Sequence, residues 1–280
     1  IFAKMASNEI SPMLLVSMRW LGTIILLAIF FGRTIISEIS TIQKNFGFTF
    51  LIGSVGLGGF GTLIYYSAYT TSAVNIGIIQ GAMPVVVLLG SFLFFRTPIS
   101  LIQISGILVT IFGVVLVSIR GKFDRLVELN FYEGDLIMLI AILLYGSYAV
   151  GLRVKNDLSS ISLFASVVIS AFISTMPFTI FEFFSGRIIW PELNNLFLIA
   201  LIILFPSFLS QISFIKSVRL IGPSRSGVFI NLIPVFASIM AVIILEEDFK
   251  IFHGISLILV LAGIYIFEKF KPITLNKFIN

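Results

Sequence analysis

The feature that most constrains this chain is a long stretch, from Asn45 to Phe95, without any lysine, arginine, aspartate or glutamate. Nearly all its side chains are apolar or absent, which is too hydrophobic for the surface of a water-soluble domain. A helix crosses the ~30 Å hydrocarbon core of a bilayer with about 20 residues, because it rises ~1.5 Å per residue. The stretch therefore predicts two transmembrane helices, joined by the polar turn Thr70-Thr71-Ser72.

Charge-poor spans of this kind recur along the whole chain. They predict helices over 12–31, 47–69, 73–95, 99–119, 134–153, 159–184, 193–216, 224–245 and 250–268. The composition agrees, since 58% of the residues are hydrophobic and only 11% are charged. Membrane-spanning strands would appear as segments of ~10 residues with alternating polarity, and that alternation is absent. The predicted fold class is an all-α integral membrane protein.

The basic residues predict the orientation of these helices. If the helices alternate in direction, most lysines and arginines fall on the same side as the C-terminal tail, 271–280. The positive-inside rule places that side in the cytoplasm of a multi-pass protein of the cell membrane. The net charge of +5 is therefore assigned to cytoplasmic loops and not to a nucleic-acid partner. The absence of cysteine excludes disulfides, thiol catalysis and cysteine metal sites.

An internal repeat organises the chain. When the sequence is shifted on itself by 150 residues, Pro84 falls on Pro234, and Gly113 falls on Gly263. The predicted turns coincide as well, so each half is expected to hold five helices. The first repeat covers 1–120, the second covers 134–270, and 121–133 connects them. Ile1–Ala6 is then expected to be the tail of a truncated first helix in a ten-helix bundle.

The odd number of helices in each half predicts the relation between the halves. After five crossings the second repeat enters the membrane from the opposite face, which makes the repeat inverted. Inverted repeats are typical of secondary transporters, which expose a central site to the two sides of the membrane in turn. This is the strongest argument for transport that the residues themselves provide.

Several short motifs occur in a distinctive order. They are Lys4, Pro12 and Arg19 near the start, Gly134-Asp135 followed by Tyr145-Gly146-Ser147-Tyr148, and Leu245-Glu246-Glu247 followed by Ser256 and Gly263, with Gly106 and Gly113 as counterparts in the first half. In this order they resemble EamA-type members of the drug/metabolite transporter superfamily, over essentially the whole chain. The chain departs from the family pattern at Arg96-Thr97 and at Glu246, where the family usually has Gly-Glu.

This resemblance implies a carrier with a central cavity between two EamA repeats. It would move a small metabolite, such as an amino acid or a nucleoside, or a drug-like solute, with no cofactor and no metal. The partners would be the lipid bilayer and the solute, with a homodimer as a possible assembly. A flippase for a lipid-linked intermediate is the alternative. A membrane-embedded enzyme is less favoured, because no nucleophile–base or metal set is visible within the spans.

Two prolines within predicted spans indicate where a solute could bind. Proline removes a backbone hydrogen bond and clashes with the preceding turn, so Pro84 and Pro234 are expected to kink their helices. The carbonyls that a kink frees are tolerated where they line a cavity. Gln80, Met83 and Asn231 are therefore candidate substrate-binding residues. In the alternative interpretation, Gln80 and Asn231 only form hydrogen bonds to neighbouring helices.

Further candidates lie elsewhere in the spans. Tyr145 and Tyr148 share one face of a predicted helix and suit the wall of a pocket. Gln211, in the predicted helix over 193–216, is a further candidate. Arg19 is predicted to be a buried charge, which makes it a candidate functional residue. A structural role is favoured for Arg19 over recognition of a substrate carboxylate. Proton-coupled carriers usually hold a carboxylate within the membrane. The deepest carboxylate in the predicted spans is Glu182, and it lies only about one turn from the end of its helix. The sequence therefore does not specify coupling to protons.

The segment Gly56–Gly61 spells G-x-G-x-x-G, the fingerprint of dinucleotide-binding proteins. That motif functions between a strand and a helix, whereas here it lies within a predicted membrane span. Its glycines are instead expected to let another helix approach closely.

Overall fold

The computed structural model describes residues 5–6, 9–71, 73–96, 99–118, 133–154, 157–245 and 250–269. These ranges are almost entirely helical and contain no β-strand. Five of the helices are long and apolar enough to cross a membrane, namely Pro12–Ser37, Ile39–Thr70, Glu133–Gly151, Ser160–Phe184 and Asn195–Ile221. The predicted class, an all-α multi-pass membrane protein, is confirmed.

The first half contains α1 (Pro12–Ser37), α2 (Ile39–Thr70), α3 (Ala73–Gly81), α4 (Met83–Phe95) and α5 (Leu101–Ser118). The second half contains α6 (Glu133–Gly151), α7 (Ser160–Phe184), α8 (residues 193–221), α9 (Pro223–Val228), α10 (Leu232–Leu245) and α11 (Ile251–Lys269). A 3₁₀ turn, Phe229–Asn231, joins α9 to α10. Met5 and Ala6 are helical, and the remainder of the predicted first-helix tail lies outside the described residues.

The predicted loop 32–46 is wrong, because α1 and α2 continue through it and only Glu38 interrupts them. This segment contains no proline, and single glycines weaken a helix without ending it. Arg33 and Lys44 are exposed, so their charged ends can reach water while the backbone stays helical. Charge alone therefore does not mark the end of a membrane helix.

The single kinked helix predicted over 73–95 is also wrong. The helix breaks at Ala82, and Pro84 lies in the first turn of α4. Proline is well tolerated there, because first-turn amides have no partner within the helix. The equivalent span of the second half is interrupted by the 3₁₀ turn just before Pro234. The prolines therefore accompany breaks between two helices, and Pro84 is not a kink within one continuous helix.

The two halves carry the same irregularity at the same place. Gly53–Gly59 of α2 and Ile203–Leu209 of α8 are π-helical turns, and they coincide after a shift of 150 residues. The glycines of the first π turn allow close packing, as expected from the sequence. A Cβ on Gly53 would lie 2.8 Å from Val167 Cα in α7, and one on Gly56 would overlap Tyr148 in α6.

The packing of α5 against α11 shows that the repeat is inverted. A Cβ on Gly113 would lie 3.0 Å from the carbonyl oxygen of Ser256, and one on Gly263 would overlap the carbonyl of Gly106. Each contact becomes the other when the halves are exchanged. The later residue of α5 meets the earlier residue of α11, so these equivalent helices run antiparallel. A twofold rotation about an axis perpendicular to these two helices exchanges them.

The equivalent helices α1 and α7 pack in the same antiparallel way. The hydroxyls of Ser17 and Thr179 are 2.7 Å apart, and Thr179 Oγ1 donates to the carbonyl of Met13 at 2.8 Å. Near the start of α1, the Glu182 carboxylate accepts backbone amides from that helix. The first turn of α1 is thus fixed to the last turns of α7, and the two repeats are joined through both helix pairs.

Candidate functional site

Polar and aromatic side chains from both repeats meet where α1, α2, α6 and α8 pack together. We call this group the central cluster. Its members are Arg19 and Trp20 of α1, Phe60 and Tyr65 of α2, Tyr145 and Tyr148 of α6, and Ser207, Gln211 and Phe214 of α8.

Two of the predicted binding residues form a hydrogen bond in the central cluster. The Tyr145 hydroxyl donates to Gln211 Oε1 at 3.3 Å, and both side chains are buried. The Tyr145 ring packs between Phe60 and Phe214, with centroid distances of 4.9 and 5.6 Å. Because the bond uses only the oxygen of the Gln211 amide, the two amide N–H groups can still donate to a solute.

Tyr148, the third predicted aromatic residue, lies beside Tyr145 with a centroid distance of 5.4 Å. Its side chain is 1% exposed, and its hydroxyl has no hydrogen-bond partner in the described part of the chain. Trp20 Nε1 is a second buried donor in the central cluster without such a partner. Most buried polar groups in proteins are paired, so two unpaired donors in one cluster call for an explanation.

Arg19 is buried in the cluster as well, and the second π turn positions it. Arg19 Nε donates to Ser207 Oγ at 3.0 Å, and Ser207 Oγ donates to the carbonyl of Ile202, five residues earlier, at 2.7 Å. The guanidinium lies over the rings of Trp20 and Tyr65, 4.5 and 5.8 Å from their centroids. Its charge is within electrostatic reach of the Tyr145 hydroxyl.

The structure describes the predicted site residues beside the helix breaks only in part. Gln80 is buried one residue before α3 ends, and it makes no hydrogen bond within the described part of the chain. Met83 is 2% exposed and belongs to the same apolar core as Tyr145. The backbone of Asn231 ends the 3₁₀ turn, but the side chains of Asn231 and Pro234 lie outside the described residues. The pairing of Gln80 with Asn231 stays a prediction.

The buried carboxylates in the described spans have structural partners. Glu182 accepts the backbone N–H groups of Met13 and Leu14, each at 3.3 Å. Asp135 accepts a hydrogen bond from the Thr71 hydroxyl at 2.6 Å, which joins the start of α6 to the end of α2. In the ranges that the structure describes, no three histidine, cysteine, aspartate or glutamate side chains lie together as a metal site would require.

Several members of the central cluster were not predicted from the sequence, namely Trp20, Phe60, Tyr65, Ser207 and Phe214. One signal could have revealed Ser207. Pro206 lies within the predicted helix 193–216, and the reasoning applied to Pro84 also applies to it. The residue after Pro206 would then have been a candidate, because a disturbed helical turn changes the direction of nearby side chains.

Comparison with known proteins identifies the family. A family model described as the EamA-like transporter family matches residues 1–119 and 133–268. The chain belongs to this family. The match covers both halves and leaves out the segment between them, and it confirms the resemblance that the motifs indicated.

Relatives of this EamA protein carry transporter names as well. The chain is 25% identical over 231 residues to the uncharacterized transporter YyaM of Bacillus subtilis, a match that covers 80% of this chain and 74% of that protein. It is 26% identical over 260 residues to an uncharacterized transporter of Archaeoglobus fulgidus, covering 89% and 90%. A solved crystal structure shares the fold with a TM-score of 0.72 at 15% identity, covering 95% of this chain and 90% of that one.

Proposed function

We propose that this EamA protein is a secondary transporter that moves a small metabolite or drug-like solute across the cell membrane by alternating access. The central cluster is the observation that supports this proposal. It combines buried polar groups with aromatic rings, and both repeats contribute to it. When two inverted repeats rock against each other, a site between them is exposed first to one side and then to the other.

In this proposal the Tyr145–Gln211 pair provides hydrogen bonds to the solute, and the aromatic rings around Tyr145 provide apolar contact. Gln80, just before the first helix break, and Asn231, at the end of the 3₁₀ turn that forms the second, are proposed as further contacts. The excess of basic residues on one side supports a cytoplasmic C-terminus in this proposal.

The test is counterflow into proteoliposomes that contain the full-length protein. Liposomes preloaded with a mixture of amino acids and nucleosides are incubated with trace amounts of the same labelled solutes, and uptake is measured by mass spectrometry. Transport should appear as transient accumulation of one solute class in liposomes with protein, and not in empty ones. No accumulation of any member, together with transfer of a lipid-linked sugar between leaflets, would favour the flippase instead.

Two variants assign the transport to the central cluster. Tyr145→Phe removes the hydroxyl and keeps the ring, so Gln211 loses its partner at a cost of about 1–3 kcal/mol. If the solute bonds to this pair, transport per folded molecule should fall by roughly one to two orders of magnitude. Tyr66→Phe is the matched control, because Tyr66 is also a tyrosine in a membrane-spanning helix, α2, but is 44% exposed. Equal activity of the two variants would contradict the assignment.

A further inference from the structure

Arg19 carries more hydrogen-bond donors than its surroundings use. The side chain is 7% exposed, and of its five N–H groups only the one on Nε has a partner in the described part of the chain, Ser207 Oγ. No described carboxylate forms an ion pair with it. The buried carboxylates of the neighbouring spans, Glu182 and Asp135, are bonded to backbone amides and to a threonine hydroxyl.

A buried cation without an anion is unfavourable, because the apolar helices around it do not compensate for the hydration that the charge loses. The rings of Trp20 and Tyr65 attract the guanidinium, yet such contacts compensate only part of the lost hydration. The structural role that the sequence favours is fulfilled by the bond to Ser207. That role needs one donor, and it does not account for the two terminal nitrogens.

The orientation of the guanidinium defines what it can bind. Because Nε is bonded to Ser207, the end of the guanidinium that carries Nη1 and Nη2 is left to bind a ligand. These two nitrogens can donate two parallel hydrogen bonds to the two oxygens of a carboxylate. The single positive charge balances one negative charge, which suits a monocarboxylate better than a doubly charged phosphate. The aromatic residues around Arg19 and Tyr145 provide contact surface for a planar or apolar body.

We propose that Arg19 binds the carboxylate of the transported solute, and that the class of solute is a small monocarboxylate with an aromatic or otherwise planar body. This inference rests on the proposed transport function and specifies its substrate class. Trp20 Nε1 is a further buried donor on the same helix that could serve the bound anion.

The test is ligand-dependent thermal unfolding of the full-length protein purified in detergent, with benzoate, benzamide and inorganic phosphate as probes. Benzoate and benzamide have the same ring and nearly the same shape, but only benzoate is charged. Benzoate at millimolar concentration should raise the unfolding temperature of the wild type, because a ligand that binds only the folded state stabilises it. Benzamide and phosphate should leave the unfolding temperature unchanged.

The variants locate the effect. Arg19→Gln should weaken benzoate binding at least tenfold, and Ser207→Ala should weaken it several-fold, because the charge remains but its orientation is lost. Arg153→Gln is the matched control, since this arginine also lies over a ring, 4.7 Å from the centroid of Phe95, but is exposed at the end of α6. Arg153→Gln should bind benzoate as the wild type does.

The following results would overturn the inference. Equal stabilisation by benzamide would show that the charge is not recognised, and stabilisation by phosphate alone would show that the anion is not a carboxylate. Benzoate binding that survives in Arg19→Gln would place the site elsewhere. If Arg19→Gln does not fold, the comparison of the probes on the wild type and on Ser207→Ala decides.

The outcome is separable from that of the transport proposal. Counterflow of a neutral solute by a protein that does not bind benzoate would overturn only the substrate class. Benzoate that binds through Arg19, in a protein that shows no counterflow of any solute, would overturn transport and leave the anion site in place.

Discussion

Replacing Glu182 tests how the first turn of α1 is held. Pro12 has no N–H, and the amide of Leu15 donates to the carbonyl of Ser11 at 3.0 Å. The amides of Met13 and Leu14 have no partner within the helix, and the two oxygens of Glu182 accept them. Glu182→Leu leaves two buried donors unpaired, at about 1–3 kcal/mol each. Glu182→Gln keeps one acceptor oxygen, so its effect should be roughly half as large.

Thermal unfolding of the purified full-length protein measures this effect. A loss of several kcal/mol lowers the unfolding temperature of a chain of this size by on the order of 10 °C. Glu192→Leu is the control, because Glu192 precedes α8 but is exposed and its side chain does not cap the helix. If Glu182→Leu unfolds at the same temperature as Glu192→Leu, the carboxylate does not stabilise α1 and the reasoning is wrong.

Three further predictions concern packing, pH and the solute. Gly113→Ala should lower the free energy of unfolding by about 1–3 kcal/mol, because the new Cβ would overlap α11. Gly32→Ala is the control, since its Cβ would meet nothing within 4 Å, and it should raise the free energy of unfolding by up to about 1 kcal/mol. Equal unfolding temperatures of the two variants would refute the close packing. The backbone N–H of Ser159 donates to Glu38 at 2.9 Å and lowers the pKa of Glu38 below its usual 4.5. The resulting stabilisation is complete above pH 4.5 and is lost as the pH falls through the lowered pKa. The unfolding temperature of Glu38→Gln should therefore depend less on pH than that of the wild type over this acidic range. The same pH dependence in both proteins would contradict this. Gln80→Leu should weaken transport by roughly one to two orders of magnitude with an unchanged yield of folded protein, while a lower yield with normal specific activity would indicate a helix-packing role.

Most of the fold could be predicted from the sequence, because the membrane restricts what an apolar segment can do. Long charge-free spans must be helical, since backbone groups find no water in the hydrocarbon core. Helix ends were less predictable. Arg33 and Lys44 resemble loop residues in composition, but their flexible side chains let the helix continue past them. Pro84 lies within an apolar span, where a proline is expected to kink a helix. Its effect depends on whether the preceding helix has already ended.

The site was predictable only in part. Tyr145 and Gln211 were predicted as separate candidates, because each is a polar residue in a span, and the structure adds that they are bonded to each other. The contact between Arg19 and Ser207 was not predictable from spacing. It depends on the π turn, which rotates Ser207 relative to an ideal helix, and on the packing of α1 against α8. Pro206 is a sequence signal for a disturbed turn, but it does not indicate which helix Ser207 would contact.

The paired π turns also bear on the history of the gene. The bonding of a π turn spans one residue more than that of an α-helix, so such a turn is equivalent to an extra residue inserted into a helix. Two unrelated insertions would not be expected to coincide after a shift of 150 residues. We infer that a shorter ancestral gene encoding five helices already carried the turn when it duplicated. The two copies now differ around it, since the first contains glycines and the second contains Pro206.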